Sequence, residues 1–109
     1  MITVKELAEK YGFNAVSLPS PDRIVTGGYI GDLLSWVMGR ATEGCAWITI
    51  MTNINIAAVG QLADVAAIIV AEGAVPEDNV LATAAEKGVN ILLTDKTAFD
   101  TAVEIAEVI

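Results

Sequence analysis

The chain contains no histidine, which excludes imidazole triads, histidine general bases and zinc sites with histidine ligands. Its one cysteine, Cys45, cannot hold a structural zinc or an iron–sulfur cluster within a single subunit, since those sites need about four ligands. Cys45 is therefore expected to be a turn or core residue. Basic residues are scarce as well. Six Lys and Arg stand against 14 Asp and Glu, and the net charge of −8 repels nucleic acid and anionic membrane surfaces. The longest uncharged stretch, Gly44 to Ala63, has the length of a membrane span, but Thr49, Thr52, Asn53, Asn55 and Gln61 interrupt it. No nucleic-acid or membrane partner is expected. Met1-Ile2-Thr3-Val4-Lys5-Glu6 lacks the cationic start and apolar run of a signal peptide, so the expected location is the cytoplasm. Low-complexity segments and short repeats are absent.

Apolar residues, in contrast, are abundant. They make up 54% of the 109 residues before the 9 glycines are counted, above the roughly 45–50% that is usual with glycine included. A chain of this length is one domain, 1–109, and the excess apolar surface is expected to be covered by a second copy in a homodimer.

Periodicity and punctuation give the order of elements. Thr3-x-x-Glu6 is a capping box, followed by Val4, Leu7, Ala8 and Tyr11 at helical spacing and closed by Gly12. Asn14 to Leu18 and Arg23 to Thr26 read as short strands on either side of Pro19-Ser20-Pro21. A glycine turn and a helix over about Gly31 to Arg40 come next, with Leu33, Leu34, Val37 and Met38 on one stripe. Ala46 to Met51 predicts a strand. Asn55 then caps a helix to Ala63 with Ile56, Val59 and Leu62 inward. Val65 to Val70 has the continuous apolar character of a parallel strand covered on both faces, and Pro76-Glu77-Asp78 opens a helix that Gly88 closes. Asn90 to Thr94 predicts the last strand. Thr97 with Asp100 opens a final helix carrying Phe99, Ala102, Val103 and Ala106 on one face. The alternation implies an α/β domain, a three-layer sandwich with a mainly parallel sheet of about four to five strands flanked by helices.

The segment Asp22-Arg23-Ile24-Val25-Thr26-Gly27-Gly28-Tyr29-Ile30-Gly31-Asp32 concentrates glycine and charge between apolar runs. Read as a strand–turn–helix, it offers a backbone cradle for an anion, with Arg23 supplying charge. Its spacing matches neither of the common phosphate-loop patterns, and Asp32 at the helix start repels phosphate, so a purely architectural turn stands beside that reading. Ligands of open parallel sheets bind outside the carboxyl ends of the strands. On that rule the candidate ligand-binding residues are Arg23, Thr26, Gly27, Gly28, Asp32, Thr52, Asn53, Asn55 and Thr94. Asn55 and Thr52 also have sufficient local roles, as a helix cap and as a partner for loop backbone. Trp36 lies off the apolar stripe of its helix and is a candidate interface residue, while Trp47, on a strand, belongs to core or interface. Asp22 and Asp32 suit a divalent cation, but no base or nucleophile accompanies them. The chain is read as non-catalytic, with no catalytic residues, no metal and no cofactor.

Asp22-Arg23 with Thr26-Gly27-Gly28, then Tyr29 to Ser35, resembles the DRTGG domain family, although Ile24-Val25 separates the two halves of the signature. Similarity continues through Ala46 to Ile50, Thr52-x-x-Asn55-Ile56, Ala67 to Val70 and Ile91 to Thr94. The resemblance implies a fold similar to the N-terminal domain of HPr kinase. It also implies a regulatory or oligomerising role, as such domains have inside pyrophosphatases that carry CBS domains and inside some phosphotransacetylases. No lysine-bearing phosphate loop accompanies it, so kinase activity is not implied. Asn53 stands where the similar stand-alone chains lead one to expect histidine. Two functional readings follow. One is a homodimeric regulatory module binding a small anionic ligand such as a nucleotide. The other is an accessory subunit that docks a protein partner in a larger assembly, for example a hydrogenase-associated redox complex, without a cofactor of its own.

Overall fold

The computed structural model describes all residues from Met1 to Ile109. Ten elements alternate along the chain: α1 (Val4–Tyr11), β1 (Asn14–Ser17), β2 (Gly27–Ile30), α2 (Leu34–Arg40), β3 (Cys45–Thr49), α3 (Asn55–Leu62), β4 (Ala67–Val70), α4 (Asp78–Lys87), β5 (Ile91–Leu93) and α5 (Ala98–Ala106). The strands form one sheet in the order β1-β5-β4-β3-β2, parallel except for β1, which runs antiparallel to β5. This is the α/β sandwich with a mainly parallel sheet that the alternation predicts.

Covering both faces of a parallel sheet requires strands that are apolar on every residue, and β3 and β4 are buried throughout. Successive side chains point to opposite faces and feed two separate cores. Ala46, Ile48, Ala67, Ile69 and Leu92 pack with α1 and with Ile105 of α5. Trp47, Ile68, Val70 and Ile91 pack with α2, α3 and α4. Cys45 lies buried in the second core, where loss of hydration pushes its thiol pKa up.

Helix ends follow the local sequence closely. Thr3 Oγ1 accepts from the Glu6 N–H at 3.1 Å and Glu6 Oε1 accepts from the Thr3 N–H at 3.0 Å, a complete capping box. Gly12 and Gly88 terminate α1 and α4 in the left-handed conformation that glycine adopts at least cost. Thr97 Oγ1 accepts from the Asp100 N–H at 3.0 Å to start α5.

The structure corrects four local expectations. Gly27 and Gly28 are not a turn: they begin β2, paired in parallel with Cys45 and Ala46, and the helix starts only at Leu34. Arg23 to Thr26 is not a strand but an extended connection with one bridge, Thr3 to Ile24. Asn55 does not cap α3 with its side chain. It is the first helical residue, and the Asn53 side-chain oxygen accepts from its N–H at 2.9 Å. The inward stripes of three helices are narrower than periodicity suggests. Only Val37 is fully buried on α2, Leu62 of α3 is 70% exposed, and α5 buries Thr101 and Ile105 while Phe99 and Val103 face outward.

Candidate functional site

Parallel strands sort the candidate residues between two opposite ends of the sheet. Because β2 starts in register with the first residues of β3, everything just before Gly27 sits at the amino end. Thr26 donates its N–H to Gly44 O, and its hydroxyl donates to Glu43 O, both in the loop that enters β3. Arg23 is committed at that same end. Its Nη1 contacts Asp64 Oδ1 at 2.9 Å and its Nη2 donates to Asp64 O at 2.8 Å, in the loop that enters β4. Asp64 adopts a left-handed φ of 56°, and its carbonyl also accepts from Gly44 N, so three loops are tied at one point. Arg23 therefore does not join the loops at the carboxyl end, and its charge is already matched. Thr26 and Gly27 share its place, and Gly28 lies within β2.

At the carboxyl end stand Asp32, Thr52, Asn53, Asn55 and Thr94. Asp32 follows β2, and its Oδ1 accepts from Thr49 Oγ1 at 2.7 Å and from Ile50 N–H at 3.0 Å. It thus ties the exits of β2 and β3 together and does not cap α2, whose first turn has no side-chain cap. Thr94 Oγ1 accepts from Lys96 N–H, and Thr94 O accepts from Gly73 N–H, lacing the exits of β5 and β4. Glu72, at a left-handed φ of 63°, turns its carboxylate onto the first turn of α5, where Oε2 accepts from Ala98 N–H at 2.9 Å. The N-terminus of α5 is thereby satisfied by the chain itself.

One hollow at this end is open and polar. Thr52, Asn53 and Ile54 on one side and Glu77, Asn79 and Val80 on the other enclose about 320 Å³ between the starts of α3 and α4. Helix α4 begins without a side-chain cap, so its first amides have no acceptor from that source. Glu77 and Asn79 were not among the candidates read from the sequence. Their signal was present in Pro76-Glu77-Asp78, a helix start at the right end of a parallel sheet, and it served only to mark the helix.

Charge restricts what this end can hold. Asp32, Glu72, Glu77, Asp78 and Asp95 all lie in its loops or first helical turns. The nearest cation, Lys96, is engaged: its ammonium donates to Glu104 at 2.8 Å and to Tyr11 O at 2.9 Å. Next to it the Tyr11 phenol pKa is pushed up, first by burial and then by the carboxylates of Glu107 and Glu104. No cluster of His, Cys, Asp or Glu has the arrangement of a metal site, and no helix is long and apolar enough to cross a membrane.

Trp36, the candidate interface residue, is 51% exposed on α2, with the Arg40 guanidinium stacked 3.6 Å from its ring centroid.

No curated protein sequence matches the chain. A family model does, that of the DRTGG domain, over residues 34–108. The match begins at Leu34 and does not include Asp22 to Leu33. Domains of this kind are in general regulatory modules that are not themselves catalytic. With the match running from α2 through α5, the chain belongs to the DRTGG domain family.

Proposed function

We propose that the chain is a regulatory module whose ligand enters the hollow between α3 and α4 at the carboxyl end of the sheet. The observation that carries this reading is the set Thr52, Asn53, Glu77 and Asn79 around about 320 Å³, where the first turn of α4 has no side-chain cap. Two amides, a hydroxyl and a carboxylate in one hollow match the hydroxyl and amide edges of a nucleoside. The acidic surroundings modify the expectation of a bare anion held by Arg23. The only charged side chain lining the hollow is the Glu77 carboxylate, and no uncommitted cation offsets it for a free phosphate. The ligand is therefore a nucleotide bound through its nucleoside part, with Mg²⁺ carried on its phosphates.

Thermal-shift and calorimetric titration with nucleosides, nucleotides and their Mg²⁺ complexes tests this. The expected result is a raised melting temperature with one class of base, an affinity at least tenfold weaker after Asn53→Ala or Asn79→Ala, and no change after Arg23→Ala beyond a small loss of stability. The reading fails if no nucleoside or nucleotide shifts the melting temperature, or if Arg23→Ala alone abolishes binding.

A further inference from the structure

Strand β2 is the outer strand of the sheet, and its free edge, Gly27-Gly28-Tyr29-Ile30, carries no charge, no proline and no register shift. Those are the devices that normally keep an exposed edge from pairing with another chain. The opposite edge has two of them: β1 shifts register between Ala15 and Ser17, and Pro19 and Pro21 follow shortly after its end.

Six of the twelve exposed large apolar side chains lie on the β2 side. Ile30 lies on β2, Leu33, Trp36 and Met38 lie on or just before α2, and Phe99 and Val103 lie on α5, each between 44% and 64% exposed. Helix α5 packs over β2 and β3, and α2 shares a core with Tyr29, so both helices flank this edge. In contrast β1, the preceding α1 and the α4 that packs on it expose no large apolar residue.

The glycines point to the same place. Six of the 9 are accounted for within the chain, because Gly12, Gly44, Gly73 and Gly88 have left-handed φ and a Cβ at Gly31 or Gly60 would approach Tyr29 or Ile68 closer than 3 Å. The remaining Gly27, Gly28 and Gly39 have ordinary φ, and a Cβ there would meet nothing closer than 3.9 Å. All three lie on β2 and α2. Glycine inside a strand or helix costs roughly 0.5–1 kcal/mol relative to alanine, and a strand glycine without an internal reason often marks the close approach of another backbone.

We infer that a second copy of this chain docks on the β2 edge, the two β2 strands pairing antiparallel about a two-fold axis so that one sheet runs through both copies. The occupant is a second copy for two reasons. Charge is the first. In a chain of net charge −8, the stretch from Ile24 to Thr42 holds only Asp32 and Arg40 and is neutral, and of the two carboxylates on α5 Glu104 is paired with Lys96, so Asp100 is the one unmatched acid beside the apolar side chains of α5. The second is closure. Identical edges paired about a two-fold leave only the protected β1 edges outside, so growth stops at two. Six half-exposed side chains at roughly 80–100 Å² each, with the strand edge added, come near the ~800 Å² per partner of a standard interface. In the gap between β2 and α5, Gly28, Ile30, Ile48 and Ala102 are among the residues bounding an apolar groove of about 240 Å³, the scale of one inserted side chain rather than a metabolite.

Light scattering on the full chain is expected to give twice the 11.4 kDa chain mass. Ile30→Lys is expected to weaken the dimer at least tenfold, while Leu62→Lys, a 70% exposed position away from the edge, leaves it intact. Variants with one cysteine added at each of positions 27 to 30 give a readout that survives misfolding of the lysine variant. A two-fold antiparallel pair brings one position within about 4.5–5.5 Å of its own copy, and oxidation is expected to cross-link that position while buried Cys45 stays reduced. A monomeric wild type overturns the inference and leaves the edge to a foreign partner. So does a dimer that Ile30→Lys does not disturb and that no edge cysteine cross-links. Neither result bears on the nucleotide reading, whose hollow lies between α3 and α4.

Discussion

The two margins of the sheet are built on opposite principles. On the β1 side the strand is anchored by polar groups inside the chain. Ser17 Oγ donates to Val89 O, and buried Asn90 accepts from Ser20 N–H and donates to Ser20 O and Ala66 O. No buried side-chain polar atom there lacks a partner. On the β2 side the anchor is an aromatic ring. Trp47, fully buried in β3, donates its indole N–H to Gly31 O at 2.9 Å, and Asp32 binds the exit of β3. Beyond that anchor the backbone edge and its apolar neighbours are left open. A small domain with an acidic surface can thus present one uncharged margin and close the other.

Three perturbations separate these margins, in decreasing order of effect. Trp47→Ala removes the core of the β2 anchor and its hydrogen bond, and is expected to destabilise the fold by roughly 3–5 kcal/mol in chemical denaturation. Equal destabilisation by Trp47→Phe would mean that the hydrogen bond to Gly31, not the packed volume, holds β2. Asn90→Ala strips the β1 anchor of three hydrogen bonds and leaves buried groups without partners, an expected loss of about 1–3 kcal/mol. Amide exchange should quicken at Ser20 and leave β2 unchanged; acceleration at both margins would show that they are not independent. The smallest effect is a pH dependence. Glu6, in the capping box of α1, has its pKa lowered chiefly by the hydrogen bond from the Thr3 backbone N–H. A carboxyl held lower in the folded than in the unfolded state adds stability above its unfolded value, and that stability is lost as pH falls through the folded one. Glu6→Gln should lower the melting temperature slightly at neutral pH and leave it unchanged in acid, where Glu6 is itself protonated, so that the variant's pH profile is flatter. An equal loss at every pH would mean that the carboxylate contributes only as a hydrogen-bond acceptor.

What the sequence displayed was whatever depends on neighbours along the chain. The capping box at Thr3, the cap at Thr97, the glycine stops at positions 12 and 88 and the apolar run of β4 all read directly, because each is decided within a few residues. Thr26-Gly27-Gly28 misled because its composition is that of a turn, whereas its conformation is set by pairing with Cys45 and Ala46. Arg23 misled for a related reason: its partner Asp64 lies 41 residues on, and only the parallel register brings the two loops together at the amino end. The candidate site was half visible. Thr52 and Asn53 stood out as polar residues after a strand, but Glu77 and Asn79 complete the hollow from a separate loop and helix start.

Glu72 gives the carboxyl-end loops a consequence beyond their own surface. Its backbone belongs to the loop leaving β4, and its carboxylate closes the first turn of α5, the helix that lies along the open margin. Any shift of that loop must first break this bond and release the Ala98 amide. A single side chain, held in a backbone conformation that non-glycine residues seldom adopt, thus acts as a latch between the end of the sheet and its side.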